Sequence, residues 1–155
     1  MKTIVATLMA ILMIVTPSIS MAQNAPSSSR VCAKNIGNAK QCMACAVYYE
    51  AKSEPKAGQV AVGAVVMNRV KHKNYPATVC GVVYQRGQFT WSRKLPSGSN
   101  DKQWQSSLAI AEDVLAGHYA DRTGGALFFH SRRVVPSYSK TKRVVAVIGN
   151  HVFRK

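Results

Sequence analysis

Carboxylates are scarce in this chain. Six Asp and Glu stand against 21 Lys and Arg, a formal charge of +15, so its surface is predicted to attract polyanions rather than cationic partners. Beyond residue 22 no apolar run approaches the roughly 20 residues that a membrane-crossing helix needs, and no internal repeat is visible. A second C-x-x-C is also missing. A four-cysteine zinc site usually has two such pairs, and here Cys32 and Cys80 stand alone beside the single Cys42–Cys45 pair.

The start of the chain predicts export. Lys2 precedes an apolar run from Ile4 to Val15, broken only by Thr7, and Ser20-Met21-Ala22 supplies small residues for cleavage. That order is the pattern of a secretory signal peptide over residues 1–22, with the product in the periplasm, outside the cell or in the cell wall. Lys2 is the only charged residue in that stretch, so its removal leaves +14. A polar, Ser- and Pro-rich flexible leader is predicted over residues 23–38, and one domain over 39–155. Outside the cytoplasm the available polyanions are peptidoglycan stems with free carboxylates, teichoic acids, anionic lipid and nucleic acid. Charge alone does not choose among them.

Four cysteines, Cys32, Cys42, Cys45 and Cys80, are an even count in an exported chain. They predict two disulfides with three possible connectivities, a pairing of Cys80 with Cys42 or Cys45 tying the first helix to the segment after the second. The Cys42-x-x-Cys45 spacing also raises a thiol oxidoreductase. A thioredoxin-like motif, however, opens a helix after a strand, and no strand is predicted before it.

The periodicity predicts an α+β fold, with a helical core first and a small antiparallel sheet last. Residues 40–53 form a helix with Met43, Ala44, Val47, Tyr48 and Ala51 on one face and uncharged residues around most of the other, the pattern of a buried helix. Pro55 separates it from a second central helix over Lys56–Lys71, whose stretch Val60–Met67 is apolar throughout. Tyr75-Pro76 marks a turn, and residues 85–100 read as a long surface loop. Asn100 or Asp101 can cap a third helix carrying Trp104, Leu108, Ala111 and Leu115 on one face, closed by Gly117. Asp121–Gly125 is a turn, Ala126–His130 and Arg143–Ile148 are strands, and Gly149-Asn150 is a two-residue hairpin signal before His151–Arg154.

Glu50 is the anomaly in this pattern. It is the only charged side chain between Lys40 and Lys52, on a helix predicted to be buried. A carboxylate in an apolar setting requires either a raised pKa or a partner. A carboxylic acid kept protonated near neutral pH is what a general acid for glycosidic cleavage needs. The competing reading is an architectural ion pair with Arg69 or Lys52. Glu54, four residues on, would place its Cβ about 5–6 Å from that of Glu50 on a continuous helix. The spacing is close to a retaining glycosidase pair, but neighbours on one helix face do not flank a bond from two sides. Glu54 therefore reads equally as a helix-end group near the positive start of the second helix. With no other acid near in sequence, a one-acid mechanism with a nucleophile from the sugar itself is the simpler prediction.

The ordered set Tyr48-Tyr49-Glu50-Ala51-Lys52-Ser53-Glu54-Pro55, Gly58-Gln59-Val60-Ala61-Val62, Val65-Val66-Met67-Asn68-Arg69-Val70, Gln88-Phe89-Thr90, Gly124-Gly125-Ala126-Leu127-Phe128-Phe129-His130 and Ile148-Gly149-Asn150-His151-Val152-Phe153 resembles the SleB/CwlJ-type cell-wall hydrolases, which include spore cortex-lytic enzymes. The resemblance spans residues 40–154. It implies a compact helical core with a small sheet and a lysozyme-like active site. The implied activity is a lytic transglycosylase cutting the β-1,4 bond between N-acetylmuramic acid and N-acetylglucosamine to a 1,6-anhydro product, with a muramidase as the hydrolytic variant. It maps the single catalytic glutamate onto Glu50 and implies no metal and no cofactor. Two departures stand out: Lys52-Ser53 replaces the family's common Arg-Gly, and Trp91-Ser92-Arg93 stands where related members often carry cysteines.

Glycan-groove candidates are Gln88, Phe89 and Trp91, whose aromatic faces and amides suit sugars, or which merely pack a loop. Tyr49 either orients substrate or fills core; His130 and His151 either reach the cleft or are satisfied structurally. The predicted partners are peptidoglycan glycan strands and, by charge, anionic wall polymers. No dedicated nucleic-acid site is predicted, and the protein is expected to be a monomer. The runner-up function is a noncatalytic cationic module that holds anionic wall polymer or nucleic acid.

Overall fold

The computed structural model describes Cys32, residues 38–88 and residues 102–155. The predicted signal peptide, most of the predicted leader, Phe89, Trp91 and the predicted Asn100/Asp101 cap lie outside the described residues. The elements run α1 (Ala39–Ala51), α2 (Lys56–Val70), a short α3 (Val79–Val83), α4 (Lys102–Leu115), β1 (Phe128–Ser131), a 3-10 turn (Ser137–Lys140), β2 (Val144–Ile148) and β3 (His151–Arg154).

α1 begins with a capping box. The Asn38 side chain accepts from the Gln41 backbone N–H while the Gln41 side chain accepts from Asn38 N–H. From Cys42 to Tyr48 every residue is buried, as the lack of charge requires. α2, α3 and α4 pack around it, with Val66, Val82, Val83, Trp104, Ile110 and Val114 filling the contacts. Gly63 in mid-α2 is a close-approach position: a Cβ there would stand 3.0 Å from a Val114 methyl, so a side chain would push α2 and α4 apart. α3, within a segment with no predicted element, is capped by the Thr78 hydroxyl, which accepts from Gly81 N–H.

The sheet is antiparallel in the order β1-β3-β2. Its central strand buries Phe153, which packs with Ala61, Val65 and Ala126 to join the sheet to α2. The entry to β1 is held by Asp121, which accepts from Asn68 Nδ2 and from the N–H groups of Thr123 and Gly125. Burial pushes the Asp121 carboxyl up, but these hydrogen bonds outweigh it and hold the group below its ordinary value.

The disulfides are Cys32–Cys45 and Cys42–Cys80, the second tying α1 to α3. The two cysteines of the C-x-x-C thus sit in separate bridges, and no cysteine is free. This removes the dithiol that an oxidoreductase would need. The bridges close sequence separations of 13 and 38 residues. By the chain-entropy relation the longer loop is worth about 4 kcal/mol and the shorter about 3 kcal/mol. Replacing Cys42 and Cys80 together by Ser is therefore expected to lower urea stability by about 1 kcal/mol more than replacing Cys32 and Cys45. Equal losses would contradict that account.

Candidate active site

Glu50 lies on the last turn of α1, half-buried, neither sealed from solvent nor freely exposed. The helix places it beside Tyr49, whose ring meets Tyr48 edge-on at 5.4 Å; Tyr48 in turn meets Trp104 at 5.9 Å. Burial and the nearby Tyr84 push the Tyr49 hydroxyl up to about 12, so it stays a neutral phenol at physiological pH. On the neighbouring residue, Lys52 stacks its ammonium over the Tyr48 ring at 4.8 Å.

A cation within Coulombic reach of Glu50 is Arg69, on the last turn of α2. Arg69 is only 5% exposed. Its Nε donates to the Leu127 carbonyl at 2.8 Å, and its guanidinium lies over the Tyr75 ring at 5.4 Å. Burial pulls its pKa down, and Tyr75, Tyr138 and Glu50 oppose that pull. A buried cation thus lies within Coulombic reach of the one carboxyl group on this buried helix. The guanidinium brings Glu50 together with the turn after α2, the entry to β1 and the 3-10 turn. No prediction from spacing alone could assemble that set, because Arg69 and Leu127 are far apart in sequence.

Glu54 is engaged differently. Both its oxygens accept from Asn150, one from the backbone N–H at 2.8 Å and one from Nδ2 at 3.0 Å. Gly149, at φ +57°, lies so close that a Cβ would collide with Glu54 Oε2. Glu54 thus clamps the β2–β3 turn onto the corner between α1 and α2. Its backbone carbonyl also accepts from Gln59 Nε2 at 2.9 Å.

His130 is satisfied on both ring nitrogens. Arg154 Nε donates to its Nε2 at 2.9 Å, which leaves the proton on Nδ1 to donate to the Ser131 carbonyl at 2.9 Å. His151 is 8% exposed, edge-on to Phe129, with Nδ1 buried and unpaired among the described residues. Burial pushes its pKa below 6.5, against the attraction of Glu54 and with the help of His130. Gln88 is exposed at the edge of the described segment, while Phe89 and Trp91 lie outside it. Gln85, not singled out by the sequence, has a buried Oε1 with no partner among the described residues. Among the described residues no group of His, Cys, Asp and Glu comes together as a metal would require.

A profile of the cell wall hydrolase family matches residues 53–154. The chain belongs to the cell wall hydrolase family. The spore cortex-lytic enzymes of Oceanobacillus iheyensis and Bacillus cereus are each 36% identical to it over 118 residues, 74% of this chain. The chain spans about two fifths of these relatives, 41% and 43% of their lengths. The fold is that of the catalytic domain of the germination-specific lytic transglycosylase SleB from Bacillus anthracis, with a TM-score of 0.63 at 33% identity. That match covers 76% of this chain and 93% of the other. The catalytic domain of the Bacillus cereus SleB protein also scores 0.63, at 31% identity, covering 80% and 96%. A helical core followed by a small antiparallel sheet is thus the architecture shared with this family.

The clamp at Glu54 has a pH signature. Burial raises its carboxyl, but the hydrogen bonds from Asn150 and the nearby His151 outweigh it, leaving the pKa below its ordinary 4.5. The folded protein therefore holds this proton less tightly than the unfolded chain. The clamp's stabilisation is full at neutral pH and is lost as pH falls below about 4.5 through the lower folded value. Glu54→Gln is expected to lower the urea midpoint at pH 7, with the deficit against wild type shrinking as pH falls below about 4.5. A constant difference across that range would contradict the assignment.

Proposed function

We propose that this protein cleaves the glycan strands of peptidoglycan as a lytic transglycosylase, with Glu50 as the single acid and base. The observation that carries this reading is the placement of Glu50 on the buried helix near a buried cation, while the other described acids are engaged elsewhere. Glu54 holds the hairpin turn, Asp121 the entry to β1, Glu112 pairs with Lys40 at 2.6 Å and Asp113 with Lys56 at 3.7 Å. A mechanism with two opposed carboxylates therefore has no second candidate among the described residues.

In the proposed reaction Glu50 donates its proton to the bridging oxygen as the bond from that oxygen to the muramic C1 breaks. The resulting carboxylate then takes the proton of the muramic 6-hydroxyl as O6 attacks C1. The 1,6-anhydro ring closes, the proton is back on Glu50, and no water is consumed. Arg69 acts as a positioning residue: it orients the carboxyl group and stabilises the charge left on Glu50 once its proton has gone to the bridging oxygen. Support from similarity is the catalytic domain of the germination-specific lytic transglycosylase, which shares this fold. Export through a signal peptide over residues 1–22 would bring the enzyme to its substrate, and the excess of Lys and Arg favours retention on an anionic wall.

Purified sacculi are expected to lose turbidity and release anhydro-muropeptides, seen by mass spectrometry. Glu50→Gln is expected to reduce the rate at least about 100-fold with an unchanged circular dichroism spectrum. Full activity in that variant would overturn the mechanism, and products carrying an added water would make the enzyme a muramidase. Salt-sensitive wall binding without any cleavage would favour the noncatalytic cationic module instead.

A further inference from the structure

A cavity of about 230 Å³ opens beside the first turns of α2, against the segment that follows α4. About 18 Å of helix axis separates Ala57 on its wall from Arg69, so the cavity is remote from the turn that faces Glu50. Three basic side chains, Lys56, His118 and Arg122, line it with one acid, Asp113, while Val60 and Tyr119 supply apolar wall. Lys56 and Asp113 lie 3.7 Å apart, with their side chains 77% and 44% exposed. A pair this long and this wet contributes little to folding, and both groups can re-pair with a ligand. The volume is below the usual range for a whole small-molecule ligand, which suits the end of a chain.

We infer that this cavity binds the free C-terminal carboxylate of a peptide. Lys56 and Arg122 receive the carboxylate. Asp113 accepts the N–H one bond further back, and Val60 and Tyr119 take a small aliphatic side chain. The single acid favours a peptide end over a phosphodiester: the peptide offers Asp113 an N–H donor, and the phosphodiester linkage offers none. Identifying the peptide with the wall's peptide stems rests on the function proposed above. The recognition chemistry does not. A stem anchored here while its glycan lies at Glu50 would make the second contact intramolecular and hold the polymer through successive cuts.

The test is an amide NMR titration of the full chain with N-acetylated trialanine, its C-terminal amide and glycerol phosphate. The free acid is expected to shift Lys56, Ala57, His118 and Tyr119 saturably. The amide form, and the Arg122→Ala and Lys56→Met variants, are each expected to weaken binding about tenfold while spectra away from the cavity stay unchanged. Glu50→Gln is expected to bind like wild type, whatever its effect on glycan cleavage, so the two readings fail separately. Equal binding of acid and amide, indifference to both cavity variants, or tighter binding of glycerol phosphate would overturn the inference.

Discussion

The buried guanidinium of Arg69 is the constraint on which the rest of this structure depends. An ion taken out of water costs several kcal/mol unless its surroundings replace the lost hydration. Arg69 meets that demand with the Leu127 carbonyl, the Tyr75 ring and the Coulombic field of Glu50 and Tyr138. Each of these belongs to a different part of the chain. The need to satisfy one cation therefore holds α2 to the entry of β1 and fixes the surroundings of the glutamate. Removing one partner of such a group usually costs about 3–5 kcal/mol, far more than an exposed pair would.

A second polar joint does similar work at the other end of the sheet. Glu54 receives both hydrogen bonds of Asn150 and sits against Gly149, where only a glycine fits both the positive φ and the space. A chain with so few acids uses those it has: at the hairpin, at the β1 entry, and in pairs with Lys40 and Lys56. What is left over is a strongly basic surface, suited to an anionic polymer whose detailed recognition lies in particular cavities.

Much of this was legible in the sequence because it follows from local pattern. The absence of charge between Lys40 and Glu50 marks α1 as buried, Pro55 marks the break, and Gly149-Asn150 marks the hairpin. The Asn38/Gln41 capping box carries a local signal as well. Contacts across long separations were not legible. Glu54 finds Asn150 across 96 residues, so its role as a turn clamp could not be told from that of a helix-end group. Disulfide connectivity needs the packing of α1 on α3. The state of His130 needs Arg154, two strands later in the chain, to occupy one ring nitrogen and so set the tautomer.

The central claim is that one carboxyl group delivers the proton to the sugar-bridging oxygen. A crystal structure of the Glu50→Gln protein with a bound peptidoglycan glycan fragment tests it most directly. The account predicts the bridging oxygen within about 3 Å of the residue-50 amide. A glycan seated in an ordered groove whose bridging oxygens all lie beyond the reach of that side chain would contradict it.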